Sequence, residues 1–102
     1  MYTLITAANS AEAYNLKNSL HNDEVLFGDY LDLPEILVQS GKILKLPDPK
    51  SPSYTHQVLA LCLDKNINTI YPLRELEKKL LINARQLFYE YGIDILVNND
   101  KI

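Results

Sequence analysis

Five short runs rich in apolar and β-branched residues, separated by stretches with helical spacing, constrain this chain more than any other feature. The runs are "YTLIT" at residues 2 to 6, "EVLFGD" at 24 to 29, "KILKLP" at 42 to 47, "INTIYP" at 67 to 72 and "IDILV" at 93 to 97. The order reads βαβαβαβαβ. Each crossover must be right-handed, which leaves an open parallel sheet with helices on both sides as the economical arrangement. With 102 residues, 47% of them hydrophobic and 23% charged, the chain suits one compact α/β domain spanning 1 to 102. Such a length has no room for two catalytic domains.

The helical stretches carry their own start and stop signals. Asn9 and Glu12, three residues apart, resemble a capping box, and Ala13, Leu16 and Leu20 then share one face up to an end near His21 and Asn22. "DLPEILVQSG" predicts a short helix capped by Asp32, with Pro34 in its first turn and Gly41 past its end. Pro47, Pro49 and Pro52 stiffen the next loop, and Ser51 predicts the start of a helix whose buried stripe is Tyr54, Val58, Leu61 and Cys62. After the fourth strand comes the longest helical pattern. It puts Leu73, Leu76, Leu80, Leu87, Phe88 and Tyr91 on one face and stops at Gly92.

Charge and cysteine usage narrow the function. A formal charge of -3, with no local run of Lys or Arg, gives no general electrostatic grip on nucleic acid or anionic lipid. The single cysteine, Cys62, lies in an apolar helical pattern, so no disulfide framework is expected and a reducing, cytoplasmic compartment fits. No basic segment followed by a long apolar run opens the chain, and no apolar stretch approaches about 18 residues. Neither a signal peptide nor a membrane span is therefore expected.

The quoted runs taken together, "LITAANSAEAYNLKNSL", "EVLFGDY" and "ILKLPDPKSPSYTHQVLALCLDKNINTIYPLRELEKKLLINARQLFYEYGIDILV", resemble the N-terminal domain of ATP-grasp ligases, of the carbamoyl-phosphate synthetase large-chain type and its relatives. The likeness covers nearly the whole chain. In that family the third strand leads into a proline-containing loop and a helix ends before "I-x-x-I-x-P". The next helix carries "E-L-x-x-L-x-x-x-R-x-x-F-x-x-x-G-I". Residues 67 to 93 follow most of this phrase, with Glu75 and Leu76 as the better register.

The resemblance implies a Rossmann-like three-layer fold with strand order 3-2-1-4-5. It also implies a domain that is not catalytic by itself and that scaffolds or lines the substrate side of a ligase module. The family's ATP-binding lysine and magnesium-binding carboxylates belong to following domains, so no cofactor, metal or catalytic residue is expected within this chain. The expected partner is an ATP-grasp catalytic domain or a second copy of the chain, and "VNNDKI" resembles the place where the family's linker enters its next domain. Two alternatives stand beside this reading. The chain is the N-terminal part of a working ATP-dependent carboxylate-amine ligase, or it is an independent module for small-anion binding or dimerisation.

A candidate site follows from the strand order. The order of connection reverses between strands one and four, and ligands of such sheets sit there, outside the carboxyl ends. Asn9 and Ser10 line one side of that crevice, Arg74 and Glu75 the other. The turn of Ala7, Ala8, Asn9 and Ser10 lacks the glycines that let a backbone approach a pyrophosphate. A helix N-terminus still offers free N–H groups, and Arg74 could add a charge-assisted contact to a small carboxylate or phosphate. Asn9 and Ser10 are equally ordinary helix caps, and Arg74 beside Glu75 an ordinary solvated pair. Asp29, at the end of strand two, stands where dinucleotide folds place a ribose-binding acid, although capping or solvation explains it as well.

Other constellations are weaker. His56 and Cys62, six residues apart, point to different helix faces, and His21 is remote, so no metal site is expected. Asp48 follows strand three as a phosphoacceptor does in receiver domains, but Ala7 and Ala8 stand where such a site needs acids. Phe88, Tyr89 and Tyr91 suit either a partly buried interface or simple packing on the sheet with Tyr89 exposed.

Overall fold

A computed structural model of the chain describes residues 2–7, 10–20, 24–30, 36, 39 and 43–97. Its elements are β1 (Tyr2–Ile5), α1 (Ala11–Leu20), β2 (Val25–Asp29), β3 (Ile43–Lys45), α2 (Tyr54–Lys65), β4 (Ile67–Tyr71), α3 (Glu75–Asn83), α4 (Arg85–Glu90) and β5 (Asp94–Ile95). The five strands form one parallel sheet in the order β3-β2-β1-β4-β5. This is the expected α/β architecture and strand order. Of the stretch "DLPEILVQSG", expected to be helical, only Ile36 and Gln39 are described, and Asp32, Pro34 and Gly41 lie outside the described residues, as do Ala8, Asn9, His21 and Asn22.

Strand register explains why the sheet buries two different faces. Leu4 stands opposite Leu26 and Ile70, and Ile70 opposite Ile95, while Ile5 stands opposite Phe27 and Tyr71. Successive side chains point to opposite faces. Leu4, Ile70 and Ile95 therefore pack under Tyr54, Val58, Leu59 and Cys62 of α2, Leu81 of α3 and Phe88 of α4. Ile5 packs with Ala13 and Leu16 of α1 on the other face, supported by the half-buried Val25, Phe27 and Tyr71. Burying a side chain such as Phe88 contributes about 1.5–3 kcal/mol, and most of that gain lies on the α2–α4 face. No helix among the described residues is long and apolar enough to cross a membrane.

Local chemistry sets the helix boundaries, two of which differ from their expected places. The Ser10 hydroxyl accepts the Ala13 N–H at 3.1 Å, making Ser10 the observed side-chain cap of α1. α2 begins at Tyr54 rather than at Ser51, because the Ser51 carbonyl and hydroxyl take up the N–H groups of Tyr54 and Ser53 in a preceding turn.

The long final helix is two helices. At Ala84, with φ −102° and ψ 10°, the N–H turns back to the carbonyls of Leu81 and Ile82, which ends α3 before α4 begins. Leu76 and Tyr91, expected on the buried face, are exposed, and the inward positions are Glu77, Leu81 and Phe88. Gly92, at φ 77°, ends α4 as expected: its left-handed backbone lets the Ile93 N–H reach back to the Phe88 carbonyl at 3.0 Å.

Candidate functional site at the carboxyl ends of the strands

The strand order puts β1 between β2 and β4, and the residues that leave these three strands meet above it. Thr6 follows β1, Asp29 ends β2, and Leu73 and Arg74 join β4 to α3. The Leu73 N–H donates to the Thr6 hydroxyl at 2.8 Å, and the Thr6 N–H to the Tyr71 carbonyl at 3.2 Å, so the connection after β4 is tied to that after β1. Immediately beyond, Ala7 adopts φ 54°. A left-handed backbone is costly for a residue with a Cβ, and glycine would hold it freely. The chain thus keeps the bend of a glycine turn while carrying a methyl group there. Ala7 accepts the Ser10 N–H at 2.9 Å, which closes the turn onto α1.

Arg74 reaches across the top of β1 to Asp29. Its Nε donates to Oδ1 at 3.0 Å and its Nη2 to Oδ2 at 2.8 Å, a two-pronged contact that fixes the plane of the guanidinium. The Asp29 side chain is fully buried and that of Arg74 is 29% exposed. Asp29 also accepts the Tyr30 N–H at 2.9 Å. The Tyr30 ring lies under the guanidinium, 5.6 Å from Cζ to the ring centroid, within cation–π range. Hydrogen bonding by Asp29 raises the Arg74 pKa further, against the opposing effect of desolvation, so the group stays charged.

Behind Arg74 lies a carboxyl that the sequence reading did not single out. Glu77, in the first turn of α3, is fully buried. The Tyr54 hydroxyl donates to its Oε2 at 3.4 Å, and its Oε1 has no hydrogen-bond partner. Burial pushes this carboxyl up to about 7, against the pull of the Thr6 and Tyr54 hydroxyls and of Arg74. The sequence did hold a signal. Glu77 stands four residues before Leu81 and eleven before Phe88, which is the spacing of a helix's inward face.

The expected site residues therefore separate. Arg74 and Asp29 are joined, and Asp29 acts on the guanidinium rather than presenting a free carboxylate. Glu75 turns to solvent with an 86% exposed side chain and pairs with Lys78 at 3.1 Å. Ser10 caps α1, and no hydrogen bond or ion pair links it to Arg74 among the described residues. Asn9 lies outside them. Asp48 holds a turn, its Oδ1 accepting the Lys50 N–H at 2.9 Å. Cys62 is buried, its thiol pushed up to about 12 by desolvation, and so is held as an unreactive apolar group. No group of three or more His, Cys, Asp or Glu among the described residues is arranged to hold a metal ion.

A cavity of about 250 Å³ lies away from this cluster, at the sheet edge between α4 and β5, with Tyr89 and Leu96 in its wall. Arg85, which lines it, is committed to the Ile95 carbonyl through Nε at 3.2 Å and Nη2 at 2.7 Å. The polar cluster at the strand ends is chemically the richer place. It presents a positively charged, half-buried guanidinium in a fixed orientation. Such a site can hold and orient an anion.

Residues 4–96 match the family described as PylC-like, N-terminal domain. No curated protein matches the chain.

Proposed function

The chain belongs to the PylC-like N-terminal domain family, a domain of the N-terminal region of ATP-grasp ligases, and from that membership we propose that it lines the substrate side of an ATP-dependent carboxylate-amine ligase without performing the chemistry itself. The lysine and magnesium carboxylates that such ligases need belong to the domains that follow in the family. The partner in this reading is an ATP-grasp catalytic domain, in the same chain or another. The likeness of residues 67 to 93 to the carbamoyl-phosphate synthetase large chain supports the same general role.

One observation carries the reading: the guanidinium of Arg74, oriented by the buried Asp29, stands partly exposed at the switch point of the sheet. Nε and Nη2 are used by Asp29, which leaves the Nη1 side of the fork for a ligand. A small carboxylate or phosphate arriving there would meet a fixed positive charge. Arg74 is then the ligand-binding residue, and Asp29 is the positioning residue behind it. Calorimetric titration with a dicarboxylate such as succinate tests this. We expect weak, salt-sensitive binding that drops at least tenfold in Arg74→Ala, whereas a wild-type chain that takes up no anion would refute the reading.

A further inference from the structure

Glu77 is withdrawn from solvent: one of its oxygens meets a long hydrogen bond from Tyr54, the other has no partner at hydrogen-bond distance, and the Thr6 hydroxyl favours its charge only in part. A charged carboxylate so sparsely hydrogen-bonded in a low-dielectric site is disfavoured against its neutral form. The charge count points the same way. Asp29 and Glu77 bring two carboxylates to the cluster, and the guanidinium of Arg74 is already committed to Asp29 by two hydrogen bonds.

We propose that Glu77 is a buried proton-binding site: the folded domain holds a proton there at neutral pH, and losing it loosens the junction of the β1 end, α2 and α3. This inference does not rest on any ligand at Arg74.

The groups that face Glu77 come from every element packed around it. Asp29, from β2, disfavours its charge, and Arg74, at the start of its own helix, favours it. From the β1 end the Thr6 hydroxyl is shared with the Leu73 N–H, and from α2 the Tyr54 hydroxyl is the nearest titratable group. Burial and the neighbouring Glu77 raise Tyr54, and burial raises Cys62 beyond it, so both stay neutral through the range that matters. The Lys45 ammonium donates to the Tyr30 carbonyl at 2.8 Å, and Lys78, on the helix of Glu77, is paired with Glu75 at 3.1 Å. Burial accordingly places the carboxyl near 7, against an ordinary value of 4.5.

The sign of the pH effect follows. Between about 4.5 and about 7 the folded form binds a proton that the unfolded form has released. The contribution of Glu77 to stability is therefore greatest below the lower value and declines as pH rises through the upper one.

A carbon-13 titration of the glutamate carboxyls in the wild-type 102-residue chain tests this without any substitution. One carboxyl, assigned through its side chain to residue 77, should titrate near pH 7. The Asp29→Asn variant should move that midpoint down, because it removes a like charge and frees Arg74. In urea unfolding between pH 5.5 and 8, the unfolding constant of the wild type should rise at least tenfold relative to that of Glu77→Gln. If Glu77 titrates below about pH 5.5, or if the Gln variant keeps the wild-type pH slope, the proposal is overturned.

Discussion

Arg74 and Asp29 join the two halves of the sheet across the strand that separates them. Asp29 closes β2, Arg74 opens α3 after β4, and β1 runs between, yet Nε and Nη2 lie 3.0 and 2.8 Å from the two carboxylate oxygens. The pair thus spans the point where the order of connection reverses. It fixes the direction of the charge at that point.

Removing the cation should be costly for stability. Arg74→Ala removes two charge-assisted hydrogen bonds from the buried Asp29 carboxylate, so unfolding in urea at pH 7 should show a loss of roughly 2–4 kcal/mol. The Asp29→Asn and Arg74→Ala changes should together cost less than their sum, because each removes the partner that makes the other expensive. Arg74→Lys should recover only part of the loss, since an ammonium cannot reproduce the two-pronged contact.

The first turn makes an inverted prediction for glycine. Ala7 holds φ 54°, a region that disfavours any residue with a Cβ. Ala7→Gly should therefore be neutral or stabilising by up to about 1 kcal/mol, although glycine raises the entropy of the unfolded chain. A clear destabilisation on thermal unfolding would show that the buried methyl group contributes more packing than the bend costs.

Gly28 and Gly92 should respond to alanine for different reasons. A Cβ at Gly28 would meet Leu46 at 3.0 Å and Leu4 at 3.1 Å, inside the packed face under α2. Gly28→Ala should cost about 1–3 kcal/mol through overpacking. At Gly92 nothing lies within 4 Å, and only the backbone at φ +77° resists. Gly92→Ala should cost about 1 kcal/mol through backbone conformation alone, and a crystal structure of it should show unchanged side-chain packing around α4.

The strand order was legible because the apolar runs were short, separated and few, so that handedness and the likeness to a known family left one arrangement. The break at Ala84 was not legible. Leucines at 73, 76, 80 and 87 continue a helical period through it, and the backbone there turns on local geometry that an alanine does not announce. The same long period hid Glu77, whose charge suggested the outer face while its spacing to Leu81 and Phe88 put it on the inner one. At the candidate site, residue types indicated which groups could meet an anion. They could not show that Arg74 is claimed by Asp29 rather than by Glu75, because that pairing joins residues 45 positions apart.

The central claim is that the switch-point crevice receives a small anion through Arg74. Its most direct test follows the nitrogen-15 amide resonances of the wild-type chain, and the Arg74 side-chain Nε signal, during a titration with phosphate or succinate at low ionic strength. The account predicts that Asn9, Ser10 and Arg74 shift together along one binding curve, that added salt weakens the curve, and that Arg74→Ala abolishes the shifts at 9 and 10 while α1 stays folded. Resonances at these three positions that stay in place while the anion is raised to tens of millimolar would contradict it, and would leave the first turn as a helix cap alone.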